Sequence, residues 1–333
     1  MDTHETLPPR PFAATGLSQP ALGFGCMGLT GWYGERDDTE ARATLDEALE
    51  RGLVHFDTAA SYQNGVNERF VGATLATRRN RAFIATKYGI TRDSTGTIII
   101  DNAPASLRRA CEQSLSNLGT DHIDLYYLHR IDRRVPIEES VGELKRLVEA
   151  GMIRHIGLSE CSIETLRRAH AVHPVSAVQT EYSLWSREPE DGLLAACHEL
   201  NVAFVAYSPL GRGFLAGNFS NVEELPLDDA RRKQPRFTGA NGAHNLKLVE
   251  LLRSFACRLG CSVPQLALAW VLAQGGHIFA IPGMKRRTHL YDNLGALQLR
   301  LSAADQAELS RLVQDLGPRG ERHPPAMMQV IDR

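Results

Sequence analysis

Three observations predict a closed (β/α)8 barrel of the α/β class, of the TIM-barrel type. Short apolar runs alternate with amphipathic segments eight times, which implies a parallel sheet with helices outside it. The apolar runs are rich in β-branched and aromatic residues, as strands buried on both faces require. Eight such units within 333 residues favour a closed barrel over a doubly wound open sheet. The open-sheet alternative wants a G-x-G-x-x-G turn after its first strand. Gly23-Phe24-Gly25-Cys26-Met27-Gly28 matches only in part, and no helical pattern starts directly after it.

The elements follow in order. Residues 7–20 form a small hairpin ahead of the barrel, with Thr15-Gly16-Leu17-Ser18 at its turn. Ala21–Cys26 is the first strand, and Thr39–Glu50 the first helix, with Thr39 as its cap. The next pairs are Val54–Phe56 with Glu68–Ala76, Ala82–Thr86 with Ala103–Leu118, and Ile123–Leu128 with Ile137–Glu149. Gly119 and Gly151 close the last two helices. Ile153–Leu158 pairs with Ile163–Ala171, and Ala177–Gln179 with Gly192–Leu200. The seventh strand, Ala203–Tyr207, precedes a non-periodic stretch, Gly211–Asn241, and a helical pair over Ala243–Leu259 and Val263–Ala273. Ile278–Ile281 and Arg286–Leu297 complete the barrel. A loop as long as 211–241 in a compact domain is usually functional. Residues 1–333 read as a single domain.

Composition narrows the function. A net charge of −2 advertises no surface for nucleic acid. No apolar run is long enough for a membrane span, and the polar, proline-rich start lacks the pattern of a signal peptide. The cysteines are Cys26, Cys111, Cys161, Cys197, Cys257 and Cys261. They form no C-x-x-C or Cys/His knuckle, and no H-x-H pair ends a strand, so no metal site is expected. The expectation is a cytoplasmic protein with reduced thiols.

The chemistry lies in what ends each apolar run: Asp57, Lys87, His129, Ser159-Glu160, Gln179 and Tyr207-Ser208. In a barrel these ends converge on one rim, where active sites are built. One polar strand end means little. Ionisable residues at strand ends two, three and four together suggest a proton-handling unit. An ammonium lowers the pKa of a nearby phenol, a carboxylate holds the ammonium in place, and an imidazole orients a carbonyl oxygen.

At this point the chain resembles the aldo-keto reductase superfamily over nearly its whole length. The matching stretches are His55-Phe56-Asp57-Thr58-Ala59 with Tyr62, Ala85-Thr86-Lys87, and Asp124 to His129. They continue with Ile156 to Ser159, Val178 to Leu184, Ala206 to Gly211, and Ile281-Pro282-Gly283. GLSE, EYSLWSR and YSPLGRGFL are similar to the general bacterial, fungal and plant branch.

The resemblance implies NADPH-dependent, reversible reduction of aldehydes or ketones. Tyr62 would be the general acid, Asp57 and Lys87 would tune it, and His129 would orient the substrate. It implies that Tyr207 stacks under the nicotinamide and that Ser159, Glu160 and Gln179 bind the carboxamide. Ser208, Pro209, Leu210, Gly211, Arg212, Gly213 and Phe214 would strap the pyrophosphate. Met27, Gly28, Asp57 and Gly283 would also contact the cofactor. Lys285 and Arg286 would meet the 2′-phosphate, and Asn293 the adenine. Where many members have Asn, this chain has Glu160; where Gly commonly follows the tyrosine, it has Gln63-Asn64-Gly65; and His289 replaces an Arg of some branches.

Independently, Lys285-Arg286-Arg287 opens the last helix, so its cations and the helix N-terminus face one anion. This favours NADP over NAD. Trp32, Tyr33, Tyr88, Arg130 and Trp185 are candidate substrate walls for a moderately bulky carbonyl compound, the small-molecule partner. The alternative is a nicotinamide-binding sensor or regulatory subunit of the same fold with little turnover.

Overall fold

The computed structural model describes residues 7–332 except Ser94 and residues 218–220. A hairpin of β1 (Pro9–Pro11) and β2 (Ser18–Pro20) comes first. The barrel strands are β3 (Phe24–Gly25), β4 (His55–Asp57), β5 (Phe83–Tyr88), β8 (Ile123–Leu128), β9 (Ile153–Ser159), β10 (Ala177–Glu181), β11 (Ala203–Tyr207) and β12 (Ile278–Ile281). All pair in parallel with their neighbours in chain order. Parallel bridges Leu22↔Ala280 and Gly25↔Gly283 join β3 to β12 and close the cylinder. β3 is shorter than the Ala21–Cys26 run because the first half of that run carries one isolated bridge, at Leu22, rather than a continuous ladder.

The outer layer contains α1 (Asp38–Glu50), α2 (Val66–Leu75), α3 (Pro104–Leu118), α4 (Ile137–Glu149), α5 (Ile163–Val172), α6 (Leu193–Glu199), α7 (Gly239–Leu259), α8 (Val263–Ala273), α9 (Arg287–Gly295) and α10 (Ala303–Leu316). The cap of α1 is Asp37, whose side chain accepts from Glu40 N, rather than Thr39. Proline at the first turn starts α3 and left-handed Gly119 ends it. A reciprocal Ser262–Gln265 capping box starts α8. No single helix among the described residues is long and apolar enough to cross a membrane.

Strand side chains alternate between two cores. Phe83, Ala85, Leu125, Tyr127, Ala177, Ala203, Val205 and Phe279 fill the barrel interior. Ile84, Tyr126, Leu128, Ile156, Leu158, Phe204 and Ala206 pack outward against the helices. Phe12, from the hairpin, plugs the interior edge-on to His55, Phe83 and Phe279 at 5.0–5.9 Å between ring centres.

The sequence reading placed no element at a second hairpin, at α10 or in the tail after it. A second hairpin, β6 (Ile90–Arg92) and β7 (Ile98–Ile100), stands at the rim after β5. Beyond α10 the chain crosses the barrel mouth and ends in the short α11 (Pro325–Met328). The 211–241 stretch is built of short 3-10 turns, with residues 218–220 outside the described part.

Candidate active site

Inward parity assembles the site. In β4, His55 and Asp57 face the interior; in β5 the series is Phe83, Ala85, Lys87; in β8 it is Leu125, Tyr127, then His129. The same two-residue period brings Ser159, Gln179 and Tyr207 to the mouth. Asp57, Tyr62, His129, Arg130, Ser159, Gln179 and Tyr207 share one cavity of about 1470 Å³. That volume exceeds an ordinary small-ligand pocket and has room for a dinucleotide beside a substrate.

Lys87 lies beneath the cavity floor, fully buried. Its ammonium is ion-paired with Asp57 Oδ1 and donates to Thr58 O at 2.7 Å. Burial opposes its charge, but Asp57 and Tyr62 outweigh burial and hold its pKa above the ordinary value. The ammonium sits 5.3 Å from the Tyr62 ring centre. Burial raises the Tyr62 phenol above its usual 10, with Lys87 pulling the other way. The net result is a protonated phenol at neutral pH, held beside a cation that stabilises its conjugate base.

Tyr62 hangs in the turn between β4 and α2. Gln63, Asn64 and Gly65 take left-handed backbone angles, φ 51°, 51° and 79°. The loop closes through Tyr62 N to Ala59 O and Gly65 N to Ala60 O. The Gln63-Asn64-Gly65 sequence therefore builds a tight left-handed turn that presents Tyr62 to the mouth.

His129 stands edge-on to Tyr62 at 6.0 Å. Burial, Arg130 and Lys87 depress its pKa well below the ordinary range, so the imidazole is neutral. Ser61 Oγ lies 3.3 Å from Nδ1. A serine proton on Nδ1 leaves the ring proton on Nε2, available to a carbonyl oxygen.

Several expected contacts are redistributed. Gln179 Nε2 donates to Asp57 Oδ2 at 2.8 Å and so braces the carboxylate. Glu160 is away from the cavity lining: Arg322 grips it, and Tyr207 donates its hydroxyl to it at 2.8 Å. The expected carboxamide contact of Glu160 is thus corrected to a tether for the C-terminal segment. Arg212 pairs with Glu181 at 3.0 Å, and His323 sits between Arg212 and Tyr207, 3.2 Å from each.

Two substrate walls are also corrected. Tyr88 follows inward Lys87, so it points outward, and its hydroxyl donates to Asp101 at 3.3 Å. The Ser183–Ser186 bridge turns Trp185 away from the mouth, onto Phe214 at 4.7 Å and Phe237 at 5.9 Å. Gly211 and Phe214 back this cluster instead of lining the cavity. Gly211 has φ 53°, and a Cβ there would meet the Trp185 ring at 2.7 Å, so only glycine fits.

Trp32, Tyr33, Met27, Gly28, Ser208, Pro209, Leu210, Arg212, Gly213 and Gly283 do line the cavity, as do Lys285, Arg286 and Asn293 at its far end. The basic run is split by function. Arg287 pairs with Glu40 at 3.0 Å, and Lys285 donates to the carbonyls of Tyr33 and Glu35. Arg286 caps α9 and has no ion pair among the described residues. Gly34 N donates to Asp229 Oδ2 at 3.0 Å, and Arg231 lies 5.3 Å over Tyr33. These contacts join the 211–241 loop to the 31–36 loop. The residues fit a phosphorylated dinucleotide: buried Asn293 has an unpartnered Nδ2, Lys285 and Arg286 supply cations at that end, and Ser208, Gly211, Arg212 and Gly213 have left-handed angles in a tight loop whose Gly211 and Gly213 amides bond back to Ser208 O and Leu210 O.

The hairpin residues Ile90, Thr91, Arg92 and Ile98 and the tail residues His323, Pro324 and Met327 complete the lining. Sequence periodicity could not find them. Their only advance signal was the apolar triplet Ile98–Ile100.

Fold and site together define a barrel enzyme of the oxidoreductase kind. The sequence family described as the aldo/keto reductase family matches residues 21–314. An aldo-keto reductase of Schizosaccharomyces pombe, yakc, with NADP(+) in its name, is 45% identical over 312 residues, 92% of each chain. The glycerol dehydrogenase structure from Gluconobacter oxydans superposes with a TM-score of 0.81 at 30% identity, covering 97% of this chain and 98% of that one. An aldo/keto reductase from Klebsiella pneumoniae, solved with NADP and acetate, gives a TM-score of 0.72 at 27% identity, covering 95% and 98%. This chain belongs to the aldo/keto reductase family.

Proposed function

We propose that the chain is an NADPH-dependent carbonyl reductase acting reversibly on aldehydes or ketones. The observation that carries this reading is the buried Asp57–Lys87 pair beneath a protonated Tyr62 and a neutral His129, all at one end of a groove whose other end holds Arg286. The nicotinamide, when bound, supplies the hydride. His129 positions the carbonyl oxygen by donating a hydrogen bond. Tyr62 gives that oxygen its proton, and Lys87 stabilises the phenolate left behind. In the alcohol-oxidising direction the same phenolate takes the proton back.

Asp57, braced by Gln179, keeps Lys87 charged and fixed. Ser159 faces the carboxamide side and Tyr207 offers a ring face for the nicotinamide. Arg286, assisted by Lys285, meets the 2′-phosphate, which favours NADPH over NADH. Following NADPH absorbance across a panel that includes 4-nitrobenzaldehyde and a 1,2-diketone tests this directly. Turnover of several neutral carbonyls is the expected outcome; tight NADPH binding without any consumption contradicts it.

A further inference from the structure

The barrel mouth carries an imbalance of buried charge. Arg130, Arg212, Arg236 and Arg322 are each nine-tenths buried or close to it, and they surround two buried carboxylates, Glu160 and Glu181. Arg322 takes Glu160 and Arg212 takes Glu181. Arg236 is satisfied otherwise. It donates to Ser186 Oγ at 2.6 Å and to Gly320 O at 3.0 Å, stacks on Trp185, and does not line the cavity.

Arg130 is different. It is 4% exposed and lines the cavity beside His129. Its Nη1 donates to His129 O at 2.6 Å and to Ser159 Oγ at a long 3.4 Å. Its Nε is buried without a partner, and no carboxylate lies within ion-pair reach of it among the described residues. The acid it influences is Glu160, whose carboxylate is gripped by Arg322 and Tyr207 rather than by Arg130; a buried guanidinium that only shares a distant counter-charge gains from a carboxylate seated on its own fork.

Neither the cofactor nor the cavity lining gives Arg130 a contacting carboxylate of its own. The phosphate-holding residues lie along 208–213 and 285–286, and the reduced nicotinamide ring is uncharged. The carboxylates lining the cavity are Asp57, which is committed to Lys87 and Gln179, and Glu35, Asp37, Asp38 and Asp292 at the 2′-phosphate end. The substrate side presents Arg92, Ile90, Ile98, Pro324 and Met327: one further cation and apolar walls that strengthen an ion pair by excluding water.

We propose that Arg130 is an anion subsite and that the preferred substrates are carbonyl compounds carrying a carboxylate. This rests on the carbonyl-reductase reading above and deepens it. The carbonyl oxygen is held by His129 and the carboxylate by Arg130 in the same cavity, which suits a compact oxo acid or aromatic aldehyde acid that reaches both.

The test compares 2-, 3- and 4-formylbenzoate with their methyl esters, using NADPH and the full chain. For at least one isomer, kcat/KM for the acid should exceed that for the ester about tenfold, and the ratio should fall at least tenfold in Arg130→Met and recover in part in Arg130→Lys. Benzoate, but not benzamide, should bind the NADPH complex of the wild type, read by nicotinamide fluorescence. That measurement and the wild-type ratio stand even if Arg130→Met folds poorly. Esters preferred at every position, or equal losses on acid and ester in Arg130→Met, would overturn the subsite and assign Arg130 to holding Ser159 and the His129 carbonyl. Failure of the wild type to reduce any of the six compounds would overturn the reductase reading itself, and this inference with it.

Discussion

Arg322 and Glu160 form a two-pronged ion pair, 2.7 and 2.6 Å long, that ties the C-terminal segment to the end of β9. Both side chains are nearly inaccessible, so losing one partner strands a buried charge. Arg322→Leu should cost about 3–5 kcal/mol of unfolding free energy, read by urea denaturation. Glu160→Leu combined with Arg322→Leu should recover part of that loss, because no charge is then left unpaired. A single variant as stable as the wild type would remove the tether.

The pH profile separates the two proton handlers. Tyr62 must be protonated to act as an acid, and burial raises its pKa above 10. Reduction should therefore stay level from pH 6 to 9 and decline only beyond pH 10. His129 has its pKa depressed well below 6.5, and the proposed mechanism uses it as the neutral ring. An activity loss centred near pH 6.5–7 on raising the pH would show imidazolium acting as the acid, against this assignment.

The cofactor end gives a third prediction. Arg286→Ala should weaken NADPH binding about 10- to 100-fold, the loss expected for one charge-assisted contact, and leave NADH binding almost unchanged. Lys285→Ala should affect both cofactors, because Lys285 also holds the carbonyls of Tyr33 and Glu35. Titration of intrinsic fluorescence with each cofactor distinguishes the two.

His55 should share in limiting acid stability with buried His129 and His323: it is buried with an unpartnered Nε2 and has its pKa lowered from 6.5 to about 4. The unfolded chain takes up this proton below pH 6.5 and the folded chain does not. The stabilisation is therefore complete above pH 6.5 and is lost as pH falls toward 4. The expected loss is about 3 kcal/mol, at about 1.4 kcal/mol per unit. His55→Leu should flatten this limb of a stability-against-pH curve; an unchanged slope would place the acid sensitivity elsewhere.

The strand ends were legible in the sequence because parity is rigid. Once β4, β5 and β8 are apolar runs in one barrel, Asp57, Lys87 and His129 must face one mouth. The same rule, applied one residue further within β5, places Tyr88 outside; Arg130 and Glu160 lie beyond the ends of β8 and β9, where parity no longer decides, and of these two Arg130 lines the cavity. Trp185 was not legible, because its direction depends on a four-residue bridged turn. The tail was illegible for another reason. Gly317 to Asp332 has no periodicity, and its position is set by long-range partners: Asn245 holds Arg319, Glu160 holds Arg322, and the α5 cap residues Ser162 and Thr165 hold Asp332. Polar contacts between residues more than 70 positions apart leave no local trace. The β6–β7 hairpin shows the same limit, since three-residue strands are too short for a period to register.

In the proposed mechanism Tyr62 donates the proton from the left-handed turn formed by Gln63-Asn64-Gly65. The most direct test of this step is single-turnover oxidation of enzyme-bound NADPH by an aldehyde in Tyr62→Phe, with NADPH affinity measured on the same preparation. Unchanged affinity and a rate reduced at least about 100-fold, within the range for a lost general acid, are expected. A rate within a fewfold of the wild type, with cofactor bound equally well, would contradict this role.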